Sequence, residues 1–309
     1  MDAIRLSNVS KTFDGLRAVA DLSMSVPEGS LFGLLGPNGA GKTTTIRMIL
    51  SIILPDAGSI AVLGKPAGQD VNKFIGYLPE ERGLYRKMKV GDMLMFMAEL
   101  KGVDKAAGRR GIDHWLERLD LLSWKKRRVE ELSKGMQQKL QFIATILHQP
   151  RLMILDEPFS GLDPINVNLL KEIVLEMSRG GCTVIFSTHR MEQVEQMCDA
   201  ICLINKAQLV LHGDPKSIRR EYGKNTVVVD FEGAPDSILG EWPGVEKYNS
   251  SGRWAEVRLK RDADSREYLQ YLVRHFRLNK FEVVEPSLEE IFIEKVRASN
   301  EADLDRSEA

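Results

Sequence analysis

The stretch Gly36-Pro37-Asn38-Gly39-Ala40-Gly41-Lys42-Thr43 restricts this chain more than any other, because it matches G-x-x-x-x-G-K-[ST] at every fixed position. The run Ser30 to Leu35 before it is apolar enough for a buried strand, and Thr44 to Leu50 after it has helical spacing. Strand, glycine loop and helix follow in the order that a phosphate-cradling turn requires. Glycines at 36, 39 and 41 let successive backbone N–H groups converge, and the helix adds the positive end of its dipole to that anion nest. Lys42 would supply a point charge for β- and γ-phosphate oxygens, and the Thr43 hydroxyl is placed to ligate Mg²⁺. A glycine-rich hairpin turn is the bland alternative, and the strand-then-helix context argues against it.

The 309 residues allow about two domains. With 43% apolar and 28% charged residues the composition is that of a globular protein, and a formal net charge of −1 gives no global attraction to nucleic acid. The longest apolar runs, such as Leu152 to Leu155, fall far short of the roughly 20 residues that span a bilayer. Met1-Asp2-Ala3-Ile4-Arg5 lacks a charged-then-apolar export pattern, so secretion is not expected. Cys182, Cys198 and Cys202 form an odd set without histidines at ligand spacing, which predicts reduced core thiols in a cytosolic protein.

Along the chain, Ile4 to Val26 reads as short strands joined at Asp14-Gly15, followed by the strand of the glycine loop. Ile60 to Leu63 and Phe74 to Glu80 read as further strands. Residues from about 84 to 149 change character: Met88 to Leu100 and Ile112 to Leu122 have helical spacing, which predicts a helical insertion in a parallel sheet. Between Arg86 and Arg128 twelve Lys/Arg face six Asp/Glu; this surplus fits a solvated helix surface, or a face near anionic headgroups or an acidic partner. The sheet resumes at Leu152 to Asp156 and Thr183 to Thr188, and a hairpin spans Ile201 to Leu211. Ser217 to Tyr222 reads as a closing helix, so the first domain covers 1–222. A small α+β domain over 223–297 would contain strands at Thr226 to Phe231, Trp254 to Leu259 and Phe281 to Val284, a helix at Ser265 to Phe276, and a capped helix start at Pro286-Ser287-Leu288-Glu289-Glu290. The polar, acidic stretch 298–309 has the composition of a disordered tail.

What happens to a bound phosphate depends on residues elsewhere. Asp156, ending an apolar strand, stands where a metal-holding Walker B aspartate belongs. Glu157 beside it can orient and deprotonate an attacking water, a role that contributes about 10² to 10⁴-fold in rate. His189, at another strand end, can donate a hydrogen bond to the γ-phosphate. Gly161-Leu162-Asp163 would turn near the metal, and Phe13 either packs or stacks on a base.

Leu132-Ser133-Lys134-Gly135-Met136-Gln137-Gln138 is similar to the LSGGQ signature of ABC transporter ATPases. Phe13, the glycine loop through Thr44, Glu80, the signature, Asp156-Glu157, Asp163 and His189 fall in that family's order for A-loop, Walker A, Q-loop, signature, Walker B, D-loop and H-loop. The resemblance covers residues 1 to about 222, and Glu285 to Phe292 looks like the C-terminal extension of a prokaryotic export subfamily that includes sodium-efflux and multidrug members. Two motifs depart from the pattern: the signature carries Lys134 and Met136 in place of glycine and glutamine, and Glu80 stands in place of the Q-loop glutamine.

The resemblance implies an α/β fold with a P-loop NTPase (RecA-like) core, an N-terminal antiparallel β-subdomain, a helical insertion and a small α+β C-terminal domain. It implies ATP and Mg²⁺ as ligands, with Thr43, Asp156 and Glu80 on the metal. It also implies a head-to-tail dimer in which Ser133 and Gly135 of one subunit cover the ATP held by another copy or a homologous ATPase subunit. The partner would be a multi-span membrane permease, the location the cytoplasmic face of the membrane, and no nucleic acid is expected. A soluble ABC regulator of ribosomes or nucleic acid is the competing reading, although such proteins usually fuse two ATPase units or carry a long coiled coil. A GTPase or small-molecule kinase is disfavoured, since Asn205-Lys206-Ala207-Gln208 lacks the aspartate of N-K-x-D.

Overall fold

The computed structural model describes residues 1–68, 71–81, 83–222, 226–233, 236–260 and 262–296; the acidic stretch 298–309 lies outside them. The chain divides into two compact units, Met1–Gly213 and a second from Asp214 onward, so the closing helix of the sequence reading is counted with the second unit.

In the first unit the elements run β1 (Asp2–Phe13), β2 (Leu16–Pro27), β3 (Leu31–Leu35), α1 (Lys42–Ile49), β4 (Ala57–Val62), β5 (Lys65–Pro66), β6 (Ile75–Leu78), α2 (Val90–Leu100), α3 (Lys105–Arg118), α4 (Lys134–Ile146), β7 (Leu152–Asp156), α5 (Pro164–Arg179), β8 (Thr183–Thr188), α6 (Met191–Met197), β9 (Ala200–Asn205) and β10 (Gln208–Gly213). β1 and β2 are longer than the short strands expected, and they hold together as one antiparallel ribbon with several register shifts. That ribbon, β4 and β5 make an antiparallel sheet in the order β2-β1-β4-β5. The second sheet runs β10-β9-β3-β8-β7-β6, with β9, β3, β8, β7 and β6 mutually parallel.

Every residue of β3, β7 and β8 is buried, as expected of parallel strands covered on both faces, and this is why these segments read as unbroken apolar runs. One core joins the two sheets: Ile4, Leu6 and Val26 pack with Phe32 and Leu34 of β3 and with Ile46 and Ile49 of α1. Each such side chain contributes about 1.5–3 kcal/mol on burial. The pairing Leu35 with Thr188 and Asp156 with Ser187 aligns the carboxyl ends of β3, β8 and β7 on one edge, where ligand chemistry collects in open α/β sheets.

The helical insertion is α2, α3 and α4. α3 begins earlier than its apolar spacing suggests, because Asp104 caps it by accepting from the amides of Ala106 and Ala107. It ends at Arg118, ahead of the expected Leu122.

The second unit contains α7 (Pro215–Glu221), β11 (Thr226–Glu232), β12 (Val245–Ser251), β13 (Trp254–Leu259), α8 (Ser265–His275) and β14 (Arg277–Val284), followed by a helix over 288–296. Its antiparallel sheet has the order β12-β13-β11-β14. The polar strand β12 has no apolar alternation to betray it and is recruited by pairing with β13. Val227, Val229, Val257, Tyr268 and Leu272 form its core. The helix over 288–296 starts as its sequence suggests: Ser287 Oγ accepts the Glu290 amide at 3.2 Å, and Glu290 Oε2 accepts the Ser287 amide at 2.9 Å, a complete capping box.

Candidate active site

The glycine loop leaves β3 and enters α1 in a clamp that admits no side chain at two positions. A Cβ on Gly36 would lie 2.1 Å from the Ile204 carbonyl oxygen of β9, and one on Gly41 would lie 2.5 Å from that of Ala18 in β2, with φ values of 149° and 112°. Gly41 also occupies the N-cap of α1 and offers no side chain to the first amides, so no cap side chain satisfies these donors. The β9–β10 turn closes the loop from above through Ala207 N to the Ala40 oxygen at 3.2 Å.

Around this loop lies a cavity of about 730 Å³ whose lining includes Phe13, Asn38, Lys42, Glu80, Asp156 and Glu157, together with Gly39, Gly41, Thr43 and Thr44. Residues from five widely separated segments thus meet here. Lys42 donates to the carbonyl oxygens of Gly36 (2.7 Å) and Pro37 (3.2 Å). Burial pulls its ammonium below the usual lysine range, and the charges of Glu157, Asp156 and Glu80 partly restore it. Thr43 Oγ1 donates to Asp156 Oδ2 at 3.1 Å, while Ser187 Oγ donates to the other carboxylate oxygen, so Asp156 is held from α1 and from β8. The Tyr77 phenol is pushed up to about 12, first by burial and then by the Asp156 charge, and stays neutral beside that carboxylate.

Glu157 adopts a left-handed φ of 48°, a conformation that costs a non-glycine residue of order 1 kcal/mol or more and turns the chain out of β7. Its side chain is nearly buried and accepts from the His189 amide at 3.1 Å and faces His189 Nδ1 at 2.8 Å. His189 is half exposed and reaches the cavity only through Glu157. These contacts fix a carboxylate at the wall of the cavity and back it with an imidazole.

Ser133, Gly135 and Asp163 do not line the cavity. Ser133 caps α4 by accepting the Met136 amide at 3.3 Å, so the signature does open a helix. Asp163 caps α5, accepting from Ile165 and Asn166, and the turn it forms serves that helix start. A Cβ on Gly135 would come within 3.7 Å of Leu162, which leaves this glycine in open surroundings.

Sequence reading missed several contributors. Arg17, Lys206 and Ala207 line the cavity from β2 and the β9–β10 turn, and nothing local marks them. Gln141, buried on α4, donates to the carbonyl oxygens of Pro79 and Glu81 at 3.3 Å each, so it grips both sides of Glu80. Gln138, also buried, donates to the Pro158 oxygen behind Glu157 at 3.2 Å. Two amides at i and i+3 on the apolar face of a helix were the available signal. The three cysteines are free, and burial pushes the Cys182 and Cys202 thiols up to about 12.

No helix among the described residues is long and apolar enough to cross a membrane. Residues 19–160 match the ABC transporter family, and residues 213–296 match the ATP-binding protein DrrA1-3-like C-terminal domain. The uncharacterized ABC transporter ATP-binding protein YhaQ of Bacillus subtilis (strain 168) is 44% identical over 96% of this chain and 99% of its own length. Nod factor export ATP-binding protein I of Rhizobium sp. (strain N33) is 34% identical over 94% of this chain and 96% of its own. A solved ATP-binding subunit of an ABC transporter superposes with a TM-score of 0.68 at 28% identity, covering 72% of this chain and 93% of that one. The strand-end cavity, the glycine clamp and these matches agree: the chain belongs to the ABC transporter ATP-binding proteins, a family of ATPase subunits of membrane transporters.

Proposed function

We propose that the chain hydrolyses Mg²⁺-ATP and thereby drives export through a separate membrane permease, working as a head-to-tail pair. The observation that carries this reading is the Glu157 carboxylate, turned out of β7 by its left-handed backbone and backed by His189 at 2.8 Å on the wall of the cavity that holds Lys42. Glu157 takes the proton of the attacking water, and His189 orients that carboxylate. Lys42 and the amides of the glycine loop hold the β- and γ-phosphates, and Phe13, 43% exposed at the rim, stacks on the base.

The donors Thr43 Oγ1 and Asp156 Oδ2, adjacent at 3.1 Å with Glu80 on the same cavity, are the hard oxygen set that suits Mg²⁺. When bound there, the ion would neutralise charge on the phosphate oxygens. Glu80 adds a carboxylate where the family uses an amide, and Gln141 holds its loop in position. Since Ser133 and Gly135 lie outside the cavity, their approach to ATP comes from a second subunit, with the amide end of α4 directed at its γ-phosphate.

An apolar groove beside Glu80, lined by Tyr77, Pro79, Leu84, Met97 and Leu100, supports the permease partner: it joins the strand end that carries Glu80 to the helical insertion. Export follows from the relatives' roles and the C-terminal domain match. Expressed without a permease, the protein is expected in the supernatant after ultracentrifugation, and with its permease it should sediment with membranes. Sedimentation with membranes in the absence of any permease would refute the partner-dependent reading.

A further inference from the structure

A second cavity of about 860 Å³ lies at the amino ends of the parallel strands, bordered by Arg151 just before β7 and Cys182 just before β8. It is therefore separated from Asp156 and the nucleotide cavity by the length of a five-residue strand, about 16 Å at the usual rise. One wall is a single face of α3, where Ala107, Arg110, Gly111, His114 and Trp115 recur at helical spacing. The other is the connection from α5 to β8, and the floor is apolar, with Val103, Ile146, Leu147 and Met177.

Among the described residues no aspartate or glutamate lines this cavity. Neither Arg110 nor Arg151 is in an ion pair among the described residues. Asp104 feels the Arg110 charge, but its carboxylate is held by the amides of Ala106 and Ala107. The arginines are not needed as helix caps either: the carbonyls that end α5, those of Glu176, Met177 and Ser178, already accept from Gly180, Cys182 and Gly181. Two exposed guanidiniums beside an apolar floor, with no carboxylate partner among the described residues, present paired N–H donors that match a carboxylate or sulfonate. Trp115 is fixed on the wall, since Arg118 lies 5.3 Å from its ring and bridges to Glu176 of α5 at 2.6 Å, and His114 meets it edge-on at 5.1 Å. The cavity volume lies within the range of small-molecule sites.

The geometry points to a binding site for an organic anion with a ring-sized apolar body, such as an aryl carboxylate or sulfonate. Arg110 and Arg151 take the anionic group, Trp115 stacks on the ring and the floor receives the rest. Because one wall belongs to the helical insertion and the other to the core of the unit, the occupant braces the two against each other.

The test uses the full chain and the probe 8-anilinonaphthalene-1-sulfonate, titrated by fluorescence with saturating ATP and no divalent cation. The expected result is binding that ATP leaves unchanged, with energy transfer that drops on Trp115→Phe. Affinity should fall at least about tenfold in Arg110→Glu/Arg151→Glu and by a smaller factor in Arg110→Gln/Arg151→Gln, while Met97→Ala in the other groove leaves it unaltered. Both arginines are exposed, so the glutamine pair should fold natively by circular dichroism even if charge reversal does not. Displacement of the probe by ATP, or affinity within twofold of the parent in the natively folded glutamine pair, overturns the assignment.

Discussion

In the first unit the strands β3, β7 and β8 run parallel, so all their carboxyl ends reach one edge, and the polar residues that follow them meet around a single cavity. In the second unit the strands are antiparallel and consecutive ends point to opposite edges; its charged side chains pair along the sheet, as in Arg253–Glu232, Lys280–Glu282 and Arg258 with both Glu246 and Glu294. Strand direction thus decides whether the polar residues that follow successive strands reach one edge. The first unit concentrates carboxylates against a buried lysine and accepts backbone strain at Glu157 to do it. The second has a compact core with Tyr268 hydrogen bonded at 3.0 Å to the Leu239 carbonyl, and its residues are expected to affect stability before chemistry.

The largest effect expected on this contrast is that of Glu157→Gln, which removes the base while keeping the shape. ATP turnover should fall by about 10² to 10⁴-fold with nucleotide affinity within about twofold, read by phosphate release and by equilibrium binding. Normal turnover would remove Glu157 as the base. Lys42→Ala should weaken ATP binding by about 10 to 100-fold in the same titration, the scale of one lost charge-assisted contact. Unaltered affinity there would break the assignment of the glycine loop.

Ser133→Ala sharpens the comparison within the first unit, because this residue lies outside the cavity. It removes the cap of α4, costing about 0.5–2 kcal/mol of helix stability. The single chain should bind ATP with unchanged affinity, whereas turnover should drop about tenfold if a second subunit's serine completes the site. A loss of affinity in the isolated chain would argue that the signature acts in its own subunit.

The smallest effect is expected in the second unit. Burial first, and then the hydrogen bond and charge of Glu290, push the Glu256 carboxyl up to about 7 from its ordinary 4.5. The folded state therefore keeps a proton that the unfolded chain gives up between those values, so this contribution is present below pH 4.5 and is lost as pH rises through about 7. Glu256→Gln should raise the melting temperature of this unit at pH 8 by at most about 4–8 °C and leave it unchanged near pH 4. ATP affinity should stay as it was. A change in turnover on this substitution would break the division of labour between the units.

The glycine loop, Asp156-Glu157 and the signature were legible because their chemistry is local: spacing fixes a tight turn, a strand end or a helix start. β3, β7 and β8 were equally legible, since burial on both faces leaves unbroken apolar runs. β12 was not, because its partner supplies the order that its own polar sequence lacks. The early start of α3 rests on the Asp104 cap, which outweighs a weakly apolar first turn.

Sequence by itself determined that a polyphosphate could be cradled at Gly36 to Thr43, and which carboxylates and histidine could act on it. Only the tertiary structure decided which of these groups meet. Phe13, Glu80, Asp156 and Glu157 share a cavity with Lys42, while Ser133, Gly135 and Asp163 remain outside it. It also brought in Gln138 and Gln141, which hold the strand ends from α4, and Lys206 from the β9–β10 turn. The physical reason is the order and register of the parallel sheet, β9-β3-β8-β7-β6, which sets distant residues side by side through backbone hydrogen bonds that no local spacing encodes.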